Sequence, residues 1–147
     1  MEPQSRQYVS QPGSIVLVIK LTHSLPVWGN MSWGHAVSKD LITWTDIHDW
    51  RDASSQALVG NLNGVSYDKL GIFSGTAQPV NLKGEQDGTL LMMYAAISAL
   101  PTNWKIPYIP GTEKQAYAMS KDGGKSWQRY EKNPVLLAPP TGWNVCL

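Results

Sequence analysis

The side chains in this sequence that are best suited to binding are aromatic. The 147 residues include seven Trp and six Tyr but only one Phe. Trp and Tyr combine a flat apolar face with a polar group. Such a set is common in carbohydrate sites, and it is also common in the cores of β-rich proteins. Composition alone therefore supports two interpretations, a sugar-binding surface or a β-sheet core.

The acidic side chains could offer a second kind of chemistry, acid–base catalysis by paired carboxylates. Five of them fall in segments that we predict to be loops or, for Asp46, where a predicted strand overlaps a polar segment: Asp46, Asp49, Asp52, Asp68 and Glu85. Loop carboxylates are usually solvated surface groups, and no spacing in the sequence sets two of these at a catalytic separation. We predict no catalytic residue among them, and we predict no metal site and no cofactor.

One motif occurs twice and indicates the architecture. Ser38-Lys39-Asp40 is followed by Trp44, and Ser120-Lys121-Asp122 is followed by Trp127. In each copy the Asp stands at a turn, where its carboxylate can accept backbone N–H bonds. The second copy fits the S-x-D-x-G-x-[ST]-W pattern, the Asp box, which is typical of the outer hairpins of β-propeller blades. The alternative is an ordinary hairpin with an Asp turn.

Strand-like segments separated by Gly and Pro turns account for most of the chain. We predict strands at residues 15–21, 31–37, 43–47, 71–79, 89–96, 114–120 and 126–130. The uninterrupted apolar run at 89–96 predicts a strongly buried strand. No segment of ten or more residues has helical periodicity, so the pattern predicts an all-β sandwich, barrel or propeller. The repeated motif favours the propeller.

Four segments resemble glycoside hydrolase family 32, and in particular its fungal invertases, inulinases and fructosyltransferases. They are VWGNMSWGHA at 27–36, GIFSGTA at 71–77, LPTNW at 100–104 and SKDGGKSWQRYEKNPV at 120–135. Their order and spacing also agree with the family. The family fold is a five-bladed β-propeller with the active site in its central funnel, followed by a β-sandwich.

The resemblance implies an all-β fold that is an incomplete five-bladed β-propeller, with most of blade one plus blade two. It also implies a division of the chain. Residues 1–26 form a divergent N-terminal segment that does not match the family, and residues 27–147 form a partial family 32 N-terminal β-propeller domain. We expect open blade edges in such a chain, and edges of this kind promote self-association.

The resemblance does not extend to the three motifs that carry the family's catalytic carboxylates. These are WMNDPNG for the nucleophile, RDP for the transition-state stabiliser and EC for the acid/base. Arg51-Asp52-Ala53 is superficially similar to RDP, but it lacks the proline and falls in the wrong blade. Retaining glycosidases need two carboxyl groups roughly 5–5.5 Å apart. We therefore interpret the chain as truncated or divergent and predict that it is inactive by itself.

Part of the family's sugar pocket is present by resemblance. Trp28 would supply an aromatic wall for a fructosyl ring, and Phe73 and Ser74 would line the same pocket, with Ser74 offering a hydroxyl. The alternatives are a core tryptophan at Trp28 and a small packed residue at Ser74. The implied function is that of a β-fructofuranosidase-like glycoside hydrolase acting on sucrose or fructans. A non-catalytic sugar-binding module and a non-functional fragment are the alternatives.

Charge and hydropathy argue against other partners. The net charge is +1 with no basic stripe, which argues against nucleic acid. No apolar run is long enough to span a membrane. The family is often secreted, but residues 14–21 make a poor signal peptide because Lys20 interrupts them and Glu2 with a single Arg precedes them. The compartment is left open.

Overall fold

The computed structural model describes residues 14–21, 31–40, 42–46, 56–61, 67–99 and 111–137, and only the backbone for the first of these ranges. Within them the chain forms strands and no helix. The strands are β1 (Ser14–Leu21), β2 (Met31–Ser38), β3 (Thr45–Asp46), β4 (Gly71–Gln78), β5 (Leu90–Ile97), β6 (Glu113–Ser120) and β7 (Gln128–Arg129). Every predicted strand is present within two residues of its predicted ends, which confirms the all-β class.

The strands form two antiparallel sheets in which neighbours in sequence are neighbours in space. The first sheet has the order β1-β2-β3 and the second has the order β4-β5-β6-β7. The Ser-Lys-Asp motif begins at the last residue of β2 and again at the last residue of β6. The repeat therefore matches β2 and β3 to β6 and β7. Among the described strands, the first sheet has no counterpart of β4.

The second copy of the motif forms a hairpin held by side-chain hydrogen bonds. Asp122 Oδ1 accepts from the Ser126 backbone N–H at 3.0 Å and from Ser120 Oγ at 2.7 Å. Ser120 Oγ also accepts from the Gly124 N–H at 2.8 Å. Gly124 has a φ of 86°, which suits glycine, and its carbonyl accepts from Trp127 Nε1 at 3.0 Å. These contacts match the predicted Asp box.

The first copy forms the same kind of turn without glycine. Asp40 Oδ1 accepts from the backbone N–H groups of Ile42 and Thr43 at 2.9 and 2.7 Å, and from Ser38 Oγ at 3.0 Å. Asp40 reaches the backbone N–H groups two and three residues on, whereas Asp122 reaches the N–H four residues on. The difference arises because the second copy has one more residue between its Asp and its Trp.

The main core lies on one face of the four-stranded sheet. Its members are Trp33, Leu58, Tyr67, Ile72, Ala77, Leu90, Met92, Tyr94, Ala96, Ala116 and Ala118. The opposite face of β5, with Leu91, Met93 and Ala95, is half-buried. The β5 strand is thus less uniformly buried than its apolar run predicted, because successive side chains point to opposite faces of the sheet and the described residues cover the two faces unequally.

Trp33 on β2 joins the two sheets. It is 2% exposed, and its indole Nε1 donates to the carbonyl oxygen of Phe73 on β4 at 2.9 Å. Its backbone also pairs with Leu58, through N···O distances of 2.8 and 3.2 Å. One tryptophan therefore connects the first sheet to β4 and to the segment 56–61.

Replacement of Trp33 by Phe tests this connection. We expect Trp33→Phe to lower the free energy of unfolding by about 1–3 kcal/mol, because the buried Phe73 carbonyl loses its donor. Urea unfolding followed by circular dichroism measures the loss. The matched control is Trp127→Phe, which removes the indole bond to Gly124 on a partly exposed hairpin where water can replace it. If both variants lost the same free energy of unfolding, the Trp33 indole bond would not be a special connection between the two sheets.

The pH dependence of stability tests the Asp turns. Backbone hydrogen bonds from Thr43 and Ile42 lower the pKa of Asp40 from 3.8 to about 2. Because the folded-state pKa is depressed, the stabilisation by this carboxylate is complete above pH 3.8 and disappears as the pH falls through about 2. We expect Asp40→Ala to lower the melting temperature at pH 7 and the difference from wild type to shrink between pH 4 and pH 2. Glu131→Ala, at an exposed turn, is the control. If the melting-temperature difference between Asp40→Ala and wild type did not depend on pH, the Asp40 carboxylate would not be the stabilising group.

Candidate functional site

A β-bulge in β4 is the irregular feature closest to the predicted site residues. The register of β4 against β5 shifts between Ile72 and Gly75, so that Phe73 and Ser74 both stand opposite Ala95. A bulge of this kind bends its strand and changes the direction of a side chain, and bulges are frequent next to functional sites. Two of the three predicted site residues thus share one local distortion.

The two bulge residues differ in exposure. Ser74 is exposed to solvent, whereas Phe73 is 3% exposed and packs in a second cluster with Met31 and Ile97. Trp28, the third predicted residue, lies outside the described residues. The structure therefore places a hydroxyl at the surface of the bulge and a buried aromatic ring beneath it.

The residue after the bulge must be glycine. A Cβ atom at Gly75 would lie 2.7 Å from the Tyr94 Cα and would overlap the carbonyl oxygen of Met93. Those neighbours are backbone atoms of β5, so they cannot rotate away. The close approach of β4 to β5 at Gly75 consequently fixes the end of the bulge that follows Ser74.

Asp68 is a site that the sequence analysis missed. We predicted a solvated loop carboxylate, and this is wrong, because the Asp68 side chain is 0% exposed. Its Oδ2 accepts from Arg129 Nε at 2.7 Å and from the Tyr94 hydroxyl at 3.0 Å. Arg129 lies 61 residues away in sequence, so no local pattern signals the pair. The one hint in the sequence is that Arg129 falls in a predicted strand, because an Arg side chain that faced the sheet would need a carboxylate partner.

The remaining loop carboxylates have mixed outcomes. Asp46 and Glu85 are exposed, as predicted. Asp49 and Asp52 lie outside the described residues. The prediction of a surface position therefore holds at the end of β3 and in the loop between β4 and β5, and it fails where the turn at Asp68 folds against the sheet.

Asp68 forms a cluster with Arg129 and Tyr94, in which both neighbours are hydrogen-bond donors to the carboxylate. Burial tends to lower the pKa of Arg129, but the hydrogen bond and the charge of Asp68 outweigh burial and raise that pKa. Burial, together with the negative charge of Asp68, raises the pKa of the Tyr94 hydroxyl. Both neighbours therefore stay protonated at neutral pH and act as donors to the carboxylate.

Other described carboxylates are poorly matched to acid–base catalysis. A hydrogen bond from the Asn81 amide, followed by bonds from Thr89, lowers the pKa of Asp87 to about 2. Glu113 has its pKa raised by burial, and its side chain lies in the interior. An effective general acid or base has a pKa near the working pH and reaches the substrate. These two groups each fail one of these requirements.

The described residues hold no group of three or more His, Cys, Asp or Glu side chains that could bind a metal ion. In the same part of the chain no helix is long and apolar enough to cross a membrane.

Comparison with known proteins identifies relatives of this chain. Residues 21–145 match the model of the glycosyl hydrolases family 32 N-terminal domain. Levanase of Bacillus subtilis (strain 168) is 35% identical over 114 residues, which make up 76% of this chain and 14% of the levanase.

Two solved structures share the fold. Fructosyltransferase from A. japonicus superposes with a TM-score of 0.65 at 23% identity, over 96% of this chain and 22% of that one. Fructofuranosidase from Schwanniomyces occidentalis, solved with fructose, gives a TM-score of 0.57 at 24% identity, over 86% of this chain and 22% of that one. The chain thus spans less than a quarter of each of these relatives. With most of its residues matching the family's N-terminal domain, the chain belongs to glycoside hydrolase family 32.

Proposed function

We propose that this chain is a fructosyl-contacting part of a β-fructofuranosidase-like glycoside hydrolase, with Ser74 as its polar contact to the sugar. The observation that carries the proposal is the β4 bulge, which presents an exposed hydroxyl next to the close contact of β4 with β5 at Gly75. A serine hydroxyl both donates and accepts hydrogen bonds, which suits a ligand covered with hydroxyls. A fructofuranosidase of the same fold has been solved with fructose, which supports the choice of ligand.

The position of Met31 supports a role for Trp28 in the same pocket. Met31 begins β2 and packs in one cluster with Phe73 of the bulge. Trp28 lies three residues before Met31, and three residues of extended chain reach at most about 11 Å. We therefore propose that Trp28 shares a pocket with Ser74. An aromatic wall beside a hydroxyl would recognise the apolar and polar edges of a sugar ring.

We propose that the two sheets are blades of a five-bladed β-propeller. The four-stranded meander β4–β7 corresponds to blade two, and β1–β3 correspond to most of blade one. The matched Asp turns at equivalent positions in the two sheets support this, because equivalent blades repeat their outer hairpins. On this interpretation residues 27–147 form part of the family's N-terminal propeller domain, and residues 1–26 form a segment that diverges in sequence but contributes β1 to blade one.

Fructose titration tests the binding role. We expect weak, saturable fructose-induced shifts in the NMR signal of the Ser74 amide of the 147-residue chain. Ser74→Ala should weaken binding by about fivefold, the effect of one well-placed hydrogen bond. The control is Thr76→Val, which removes a hydroxyl two residues further along β4. Absence of any fructose response in the wild-type chain would rule out the binding role and favour a non-functional fragment.

We also propose that these residues alone do not cleave the sugar. Binding accelerates a reaction only when it favours the transition state over the ground state, and the three carboxylate motifs expected from the family are not found in the sequence. Asp68 cannot act as a substitute while it is buried and paired with Arg129. Of the other carboxylates discussed above, Asp87 has its pKa lowered to about 2 by hydrogen bonds, first from Asn81 and then from Thr89, and Glu113 lies in the interior.

A sucrose hydrolysis assay tests this second proposal. The purified chain at mildly acidic pH should release no fructose above a matched blank. Turnover that disappears on Asp46→Asn, Asp49→Asn or Asp52→Asn would overturn the proposal, since it would show that a loop carboxylate takes part in catalysis.

Self-association is part of the proposed behaviour. On the outer face of the four-stranded sheet, Leu91 pairs with Met119 and Met93 pairs with Tyr117, and all four side chains are half-buried. No described strand pairs with the outer edges of β1 or β4. An apolar face and open strand edges are both surfaces through which chains associate.

Introducing a charge on this face tests the association. We expect the wild-type chain to sediment as an oligomer and Met93→Glu to shift it towards monomer, because a carboxylate cannot be buried there without a partner. Gln128→Glu, which adds the same charge at an exposed position on β7, should leave the oligomer unchanged. A monodisperse wild-type monomer would refute the proposal.

A further inference from the structure

The buried carboxylate of Asp68 connects parts of the fold that are distant in sequence. It lies in the turn that leads directly into β4, and its Oδ2 binds Tyr94 on β5 and Arg129 on β7. Arg129 continues the connection through Nη2, which donates to the carbonyl oxygen of Val59. Asp68 and Arg129 together thus link the approach to β4 with a central strand, the outermost strand and the segment 56–61.

These links enclose the bulge from both ends. On one side, the Asp68 carbonyl accepts from the Gly71 N–H at 3.4 Å, which closes the turn at the first residue of β4. On the other side, Tyr94 is the partner of Gly75, the residue that follows Ser74. Tyr94 therefore contacts both ends of the segment that contains the bulge. Its backbone stands opposite Gly75, and its hydroxyl donates to Asp68, so the contacts form a closed ring.

The ring restricts how the two bulge residues can be arranged. Gly75 cannot move towards β5, because even a Cβ atom there would stand 2.7 Å from the Tyr94 Cα. Phe73 is held by the Trp33 indole bond to its carbonyl oxygen. Asp68 also fixes the turn before β4. The backbone at Ser74 is therefore restricted on both sides.

Stability alone is a weak reason for this arrangement. Desolvating two charges often costs as much as their attraction returns, and well-packed apolar side chains can replace such a pair without loss. Asp68 Oδ1 is also buried without a hydrogen-bond partner among the described residues, which adds to that cost. What a paired carboxylate supplies and an apolar side chain does not is direction, because each bond has a preferred geometry.

We propose that Asp68 is a positioning residue that sets the conformation of the β4 bulge and hence the direction of the Ser74 hydroxyl. This inference rests on the proposed function for its effect on sugar binding, but the effect on the bulge itself does not require a ligand. Asp68 acts through Tyr94 and Arg129 and does not touch the sugar.

The test uses amide NMR spectra of the 147-residue chain with Asp68→Asn and Tyr94→Phe. In the ligand-free protein, Asp68→Asn should displace the Ser74 amide and Trp33 indole signals, and it should weaken fructose binding by about fivefold. Tyr94→Phe keeps the ion pair and the ring volume, so it should displace the same signals by a smaller amount. If Asp68→Asn does not fold, Tyr94→Phe alone decides.

The control separates positioning from loss of stability. Leu90→Ala removes a buried side chain from the same core cluster, near the far end of β5, and should lower the melting temperature while leaving the Ser74 signal in place. An unchanged Ser74 amide in a folded Asp68→Asn or Tyr94→Phe variant would overturn the inference. If fructose shifts no signal in the wild-type chain, the proposed function fails, and the ligand-free Ser74 signal still decides the positioning role.

Discussion

The hydrogen bond from the Trp33 indole to the Phe73 carbonyl oxygen is the contact on which the rest of the described structure depends. It crosses from the first sheet to the second, and both of its groups are buried. A bulge interrupts the regular ladder of backbone hydrogen bonds, which leaves a strand carbonyl in need of another donor. The same distortion that presents Ser74 to solvent therefore also supplies the acceptor that attaches β2 to β4. The exposure of Ser74 and the packing of the two sheets are two results of one irregularity.

Small and large side chains alternate around this contact. The face of the four-stranded sheet that meets Trp33 carries Ala96, Ala116 and Ala118 beside the large ring of Tyr94. Close packing requires that volume on one side of an interface be matched by space on the other. The three alanines leave room above the sheet for the indole, the tyrosine and the turn that contains Asp68.

Aspartate serves two physically different purposes in this fold. Asp40 and Asp122 lie on exposed hairpins and accept hydrogen bonds from residues at most four positions away. Asp68 lies in the interior and pairs with groups 26 and 61 residues away. Water can compete for the first kind of bond, so each hairpin carboxylate acts mainly on its own turn. The Asp68 side chain is 0% exposed, so its bonds are shielded from solvent and this carboxylate acts on the relation between strands.

The sequence by itself determined the features that depend on short distances along the chain. Strand positions followed from apolar runs and Gly or Pro turns, and the Asp turns followed from one repeated motif whose bonds are all local. The motifs shared with family 32 placed the chain in its family and drew attention to Phe73 and Ser74. Tertiary structure decided that Phe73 is buried while Ser74 is exposed, that only one face of β5 is fully covered, and that Asp68 lies inside. Each of these depends on which distant segments meet, and a side chain's burial is a property of its neighbours rather than of its own residue type.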